Sequence, residues 1–207
     1  MNVLRLGLIA LLATACGRVS SGSEVSDAGS DDNGADAGAF DAATPDGEAS
    51  LIPSTVFVTS SGHSPDFGSR QDADQICNDL ATSEGLTSNY VAWLSEGATG
   101  AAARLPSNRR WHRVDGVMVA NGLADLVASN LAAPISLDET GAPIESSLGI
   151  YTGTQANGQP GASSKCGNWT ALSTESVLIG SPTATDGSWT ESDGNCGRVR
   201  QLYCFEV

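Results

Sequence analysis

Asn195-Cys196-Gly197-Arg198-Val199-Arg200-Gln201-Leu202-Tyr203-Cys204-Phe205-Glu206-Val207 decides how the chain is put together. From Gln201 to Phe205 apolar and polar residues alternate, the pattern of a half-buried strand. The stretch also carries Cys196 and Cys204, two of the five cysteines. We expect the folded part to close on this strand through two disulfides, one of them reaching far back along the chain.

Working outward, the 207 residues carry a net charge of −14. The charge is unevenly spread: residues 21–50 hold eight acids (Glu24, Asp27, Asp31, Asp32, Asp36, Asp41, Asp46, Glu48) and no Lys or Arg. Residues 51–207 hold the other 16 acids against 8 bases, diluted over a much longer stretch. Lys165 is the only lysine. Phosphate binding needs clustered Lys and Arg, so nucleic acid is excluded as the expected partner.

The odd cysteine is accounted for at the start of the chain. Arg5 precedes Leu6-Gly7-Leu8-Ile9-Ala10-Leu11-Leu12, an apolar run too short to span a bilayer, and residues 1–15 read as a secretory signal. Leu12-Ala13-Thr14-Ala15-Cys16-Gly17 resembles a bacterial lipobox, with Leu12 four residues before the cysteine rather than three. The resemblance implies cleavage before Cys16 and its lipidation, and Gly17 in place of a retention Asp points to the outer membrane. The membrane is then a partner through the lipid, and the protein sits in the bacterial cell envelope, facing the surface or the periplasm. The plainer alternative is an ordinary signal cleaved near Ala13-Thr14-Ala15, with Cys16 left free. Residues 16–50 follow as a lipidated cysteine and acidic linker, built from Gly, Ala, Ser and Asp with little apolar mass beyond Val25 and Phe40. Such a segment cannot repay the entropy of ordering, and a flexible chain of this length reaches about 30–35 Å. A calcium-binding acidic run is the alternative, but the Gly-spaced ligand loop is missing.

Residues 51–207 form the folded domain. Thr55-Val56-Phe57-Val58-Thr59 reads as a first strand. A helix follows, with Ser69 as N-cap, Asp72 in its first turn, Gly85 at its stop, and an apolar stripe of Ala73, Ile76, Cys77, Leu80 and Ala81. Tyr90 to Leu94 reads as a strand and Thr99 to Arg104 as a short second helix. Asp115-Gly116 between Trp111–Val114 and Val117–Ala120 signals a hairpin. Residues 121–148 read as loops and turns. Gly149–Thr152, Asn168–Thr170, Val177–Ile179 and Ser188–Thr190 read as short strands. The layout is α+β, with one or two helices, short strands, long loops and a modest core that cross-links would support.

Four cysteines permit three connectivities. Val56-Phe57-Val58-Thr59-Ser60, Ala73-Asp74-Gln75-Ile76-Cys77, Ala92-Trp93-Leu94-Ser95, Arg113-Val114-Asp115-Gly116 and Leu202-Tyr203-Cys204-Phe205 are similar to an uncharacterised domain of bacterial surface lipoproteins assigned to the C-type lectin-like fold, which includes the endostatin domains. Trp93-Leu94 stands where that fold has a core Trp on its second strand, and Cys166-Gly167-Asn168-Trp169 and Asn195-Cys196 resemble its later strands. The resemblance covers 55–207. It implies short antiparallel strands and nested disulfides: Cys77–Cys204 ties helix to last strand, and Cys166–Cys196 staples the long loops. No activity comes with it. Calcium-dependent sugar binding in such lectins uses Glu-Pro-Asn or Gln-Pro-Asp and a later Trp-Asn-Asp. Gln159-Pro160-Gly161 lacks the carboxylate here, and Asn168-Trp169-Thr170 has neither the order nor the acid, so that site is not reproduced.

The only basic cluster runs from Arg104 to Arg113. Arg109, Arg110 and Arg113 beside Trp111 suit a sulfated or carboxylated glycan; the plain alternative is a solvated loop entering the hairpin. Trp189 is a candidate to stack on a sugar ring, while the four tryptophans read mostly as core. Asp138, Glu139, Asp115 and Asp125, or Asp186, Asp193 and Asn195, are possible cation ligands that no spacing forces together, so metal status stays open. His63 and His112 lie in no Gly-x-Ser-x-Gly, His-Glu-x-x-His, Cys-x-x-Cys or phosphate-loop context. No catalytic residue or cofactor is expected. The reading is a membrane-anchored lipoprotein whose head binds an extracellular glycan or protein. A structural envelope component is the alternative, with an enzyme on the same scaffold behind it.

Overall fold

The computed structural model describes residues 50–144, 149–163 and 165–207. The signal, the lipidation reading at Cys16 and nearly all of the acidic linker lie outside the described residues. Within them the chain is mixed α+β: eight strands in one sheet, three helices and two disulfides. Among the described residues no helix is long and apolar enough to cross a membrane.

The centre of the sheet is the terminal strand β8 (Gln201–Glu206). It pairs antiparallel with β1 (Ile52–Val58), Val56 opposite Phe205 and Val58 opposite Tyr203. It pairs antiparallel with β2 (Tyr90–Ala92) and parallel with β5 (Ile150–Tyr151). The first half of β1 continues outward, parallel to β3 (Arg109–His112), which carries β4 (Met118–Ala120) antiparallel. On the other flank β5 pairs with β6 (Ser176–Gly180), and β6 with β7 (Ser192–Asn195). The strands are therefore not all antiparallel: β1–β3 and β5–β8 run parallel, each joined by a long crossover.

Both faces of β8 are covered, so the expectation of a half-buried strand is corrected. Tyr203 and Phe205 face one apolar layer with Val56, Val58, Trp93, Trp111 and Trp189; Leu202 and Cys204 face the other with Phe57, Cys77, Leu94, Tyr151 and Trp169. All four tryptophans are fully buried, which gives the domain a larger core than its polar loops suggested. In the first layer Trp93 packs 4.9 Å from Trp189 and 5.5 Å from Phe205, ring centroid to centroid. Trp93 Nε1 donates to Thr190 Oγ1 at 2.8 Å and Trp111 Nε1 to the Glu206 carbonyl at 3.1 Å, so these indoles bury without a lost hydrogen bond.

Helix α1 (Arg70–Ser83) follows its sequence signals. Ser69 Oγ accepts from the Asp72 N–H, and Ala73, Cys77 and Ala81 are buried in the second layer. The pairs Cys77–Cys204 and Cys166–Cys196 close loops of 127 and 30 residues. The polar edge of α1 also holds β2: Asp74 accepts from the Ala92 N–H and pairs with Arg104, and Asn78 brackets the Tyr90 backbone with one donor and one acceptor bond.

Elsewhere the local readings change. The expected second helix is a 3₁₀ turn, Ala101–Arg104, entered through Gly100, where a Cβ would stand 2.3 Å from the Gly158 carbonyl. Helix α2 (Leu123–Val127) lies in a stretch read as loop, and buries only Leu126. Ser188–Thr190 is not a strand but the end of a 3₁₀ turn, Gly187–Trp189, capped by Asp186. The expected strand at Asn168–Thr170 is replaced by α3 (Lys165–Trp169), a single left-handed turn with φ between 48° and 69° at every residue. Each non-glycine residue there costs about 1–2 kcal/mol. The turn is fixed from outside: Cys166 by its disulfide, Asn168 Oδ1 by the Gly97 N–H, Trp169 Nε1 by the Ser95 carbonyl, and the Trp169 carbonyl by the Gly68 N–H.

Loop-closure entropy puts the long bridge at about 5 kcal/mol and the short one at about 3–4 kcal/mol. Replacing Cys77 and Cys204 together by alanine is expected to lower Tm by about 10–20 °C, more than the Cys166/Cys196 pair does. An equal or larger loss from the short bridge, read by calorimetry, contradicts this account. Asn168→Ala is expected to cost about 1–2 kcal/mol in denaturant unfolding, and Asn168→Gly less, because glycine keeps the backbone freedom and loses only the bond to Gly97.

Candidate functional site

The best-formed cleft among the described residues lies between the β6–β7 hairpin and the segment leading into β8. Its volume is about 440 Å³, and its lining includes Gly149, Ser181, Ser192, Asn195, Arg198 and Arg200. Chain geometry explains why space remains. A Cβ on Gly194 would meet Ile179 at 2.6 Å, and one on Gly149 would meet Ile179 at 2.9 Å and the Gly180 carbonyl at 3.1 Å, so bare backbone at these positions lets Ile179 pack at the floor of the cleft, with Arg200 Nη1 alongside Gly149. Cys196 is pinned to the left-handed turn by its disulfide, which sets where Arg198 and Arg200 begin their approach.

Arg200 is 7% exposed. Its backbone exchanges two hydrogen bonds with His63, 2.6 and 3.0 Å, which hold the residue in register at the edge of β8. The guanidinium carbon lies 5.6 Å from the centroid of the Tyr151 ring, a cation–π contact. Tyr151 is fixed in turn, its hydroxyl donating to the Arg198 carbonyl at 2.6 Å. Burial lowers the Arg200 pKa, with Tyr151 opposing, and burial raises the Tyr151 pKa, with Arg200 opposing. Each shift has burial as its main cause, and the contact between the two groups works against both. Among the described residues no carboxylate forms an ion pair with Arg200, and its buried Nε has no partner. Around it, Arg198 and Asn195 are exposed, Ser181 and Ser192 are half-buried, and Asp193 is an exposed acid on the same rim.

A second groove of about 430 Å³ is lined by Pro53, Ser54, Thr55, Arg110, His112 and Arg113, among others. This is where part of the sequence-defined basic cluster lies. Its charges are largely engaged within the protein. Arg109 donates to Ser54 Oγ at 3.1 Å and lies 3.9 Å from Glu206. Arg113 is held by Asp115 at 2.7 Å and donates to Ser136; the same hydrogen bond is the main cause that lowers the Asp115 pKa. Arg110 donates to the Asn121 amide oxygen at 2.6 Å. Trp111, between them, is wholly buried and offers no face to a ligand, and Trp189 is likewise buried beneath Trp93 and Tyr203 rather than presented for stacking.

The acids do not gather. Asp138 accepts from Thr140 and the Ala142 N–H, and Glu139 from Ser60, so both buried carboxylates clamp loops. Asp125 accepts from the Asn121 N–H. Among the described residues no group of three or more His, Cys, Asp or Glu comes together. Asp193 and Asn195, singled out as loop ligands, do line the first cleft; Asp186 is a turn cap beside it in sequence.

The sequence reading missed Arg200, although it stands inside the stretch that opened the reading. The signal was the strand period: residues 200, 202 and 204 share one face, so Arg200 belongs to the row that buries Leu202 and Cys204. Comparison with known proteins found no family model matching the chain and no similar curated protein.

Proposed function

We propose that the protein is a membrane-anchored lipoprotein of the cell envelope whose disulfide-stapled head, of C-type lectin-like fold, binds an extracellular ligand through its loops. One observation carries the reading: the two disulfides nest, the outer one joining the first helix to the last strand and the inner one lying within the long polar loops. Around them the first and last strands lie side by side at the sheet centre, and a cleft opens between the β6–β7 hairpin and the segment entering β8. The lipobox at Cys16 and the acidic linker supply the foot and the spacer.

A calcium-dependent sugar site of the lectin kind is not part of the proposal. Asn168 spends its side chain on the Gly97 N–H, and Trp169 is fully buried under Phe67 and Tyr151. The ligand is instead a glycan or matrix protein taken without metal.

Two measurements test the reading. The mature protein extracted from membranes is expected to start at acylated Cys16 by intact mass, and Cys16→Ala to appear in the soluble fraction. An unacylated wild-type mass removes the anchor. The full-length protein in detergent is expected to bind members of a glycan and matrix-protein array equally with calcium and with chelator. No binding in either condition returns the protein to a structural envelope role.

A further inference from the structure

We infer that the cleft at Arg200 is an oxyanion site, taking a carboxylate or sulfate group of a small acidic ligand. The inference deepens the recognition-head reading and rests on it for its purpose, though not for its chemistry.

Arg200 is a buried residue, and its Nε in particular has been taken out of water. A buried cation is normally repaid by a carboxylate, and leaving one unpaired is costly. Here the Tyr151 ring covers one face of the group at 5.6 Å, and no acid takes the other side among the described residues. The Tyr151 hydroxyl is its neutral hydrogen-bonding neighbour, and its buried Nε has no partner. The domain is strongly acidic, yet among the described residues no carboxylate is paired with this cation. Arg198 adds a second positive charge at the rim, and Ser181, Ser192 and Asn195 bring neutral donors to the same cleft. A planar fork flanked by neutral donors matches the oxygens of a carboxylate or sulfate. Asp193 opposes an anion at the same rim and so sets a measurable counterweight.

The second groove carries this argument less far. Arg109 and Arg113 already have carboxylate partners there, and Arg110 has an amide.

The test is titration calorimetry on the full-length protein in detergent, with sodium glucuronate and sodium sulfate as probes and glucose and chloride as controls at matched ionic strength. Saturable binding of glucuronate, sulfate or both is expected, and which of them binds distinguishes the carboxylate from the sulfate source. Arg200→Gln is expected to weaken it about tenfold or more, and Arg200→Lys to fall between, since the ammonium keeps the charge and loses the fork. Arg198→Gln weakens and Asp193→Asn tightens binding by about two- to threefold. Both positions are exposed, so these variants report on the site even where Arg200→Gln does not fold. No saturable binding of either anion, or affinity indifferent to Asp193→Asn and Arg198→Gln, overturns the site. Array binding by the head that ignores Asp193→Asn and Arg198→Gln retires this cleft while leaving the recognition-head reading standing.

Discussion

Burial of β8 on both faces and along both edges is the constraint on which the rest depends. Four consecutive side chains, Leu202 to Phe205, are withdrawn from water, and the backbone is bonded to β1 on one side and to β2 and β5 on the other. A strand in that position must have an apolar layer above and below. The chain supplies one with Trp93, Trp111 and Trp189, and the other with α1 and the bridge from Cys77 to Cys204. The disulfide therefore lies inside the second layer as a packing element as well as a tether.

The loops are held by specific polar contacts more than by area. Asp74 and Asn78 turn the outer edge of α1 into a backbone clamp for β2. Asp138 and Glu139 close the turn that follows β1 in space. The left-handed turn at Lys165–Trp169 exists because four neighbours fix it from outside. It also places Cys196, and with it the approach of Arg198 and Arg200 to the sheet.

Much of this was legible in the sequence, for local reasons. The α1 stripe and its Ser69 cap, the strands at β1, β2 and β6, and the Asp115-Gly116 turn each depend on residues within a few positions of one another. Both disulfides are the pairs expected. What misled was context from afar. Asn168–Thr170 has strand-like composition, but its backbone obeys Gly97, Ser95 and Cys196. Trp189, flanked by polar residues, was the candidate to stack on a sugar among tryptophans read mostly as core, and the 3₁₀ turn folds it under Trp93. Of the arginines near Trp111, Arg113 meets Asp115 two residues on, a local pair, whereas Arg109 meets Glu206, which is distant in sequence. Arg200 was overlooked because a charge at a strand entrance reads as solvated, and only pairing with His63 and stacking on Tyr151 draw it inside.

The placement of β8 also dictates a chronology. The middle of the sheet is occupied by residues 201–206, so the β1–β3–β4 and β5–β6–β7 arms are joined into one sheet only once those residues are present. If thiols are joined in the order of synthesis, Cys77 and Cys166 are available before Cys196 and Cys204, and a bond between them is non-native and has to exchange before both native pairs form. Reaching the native pairs from that bond takes thiol–disulfide exchange rather than oxidation alone.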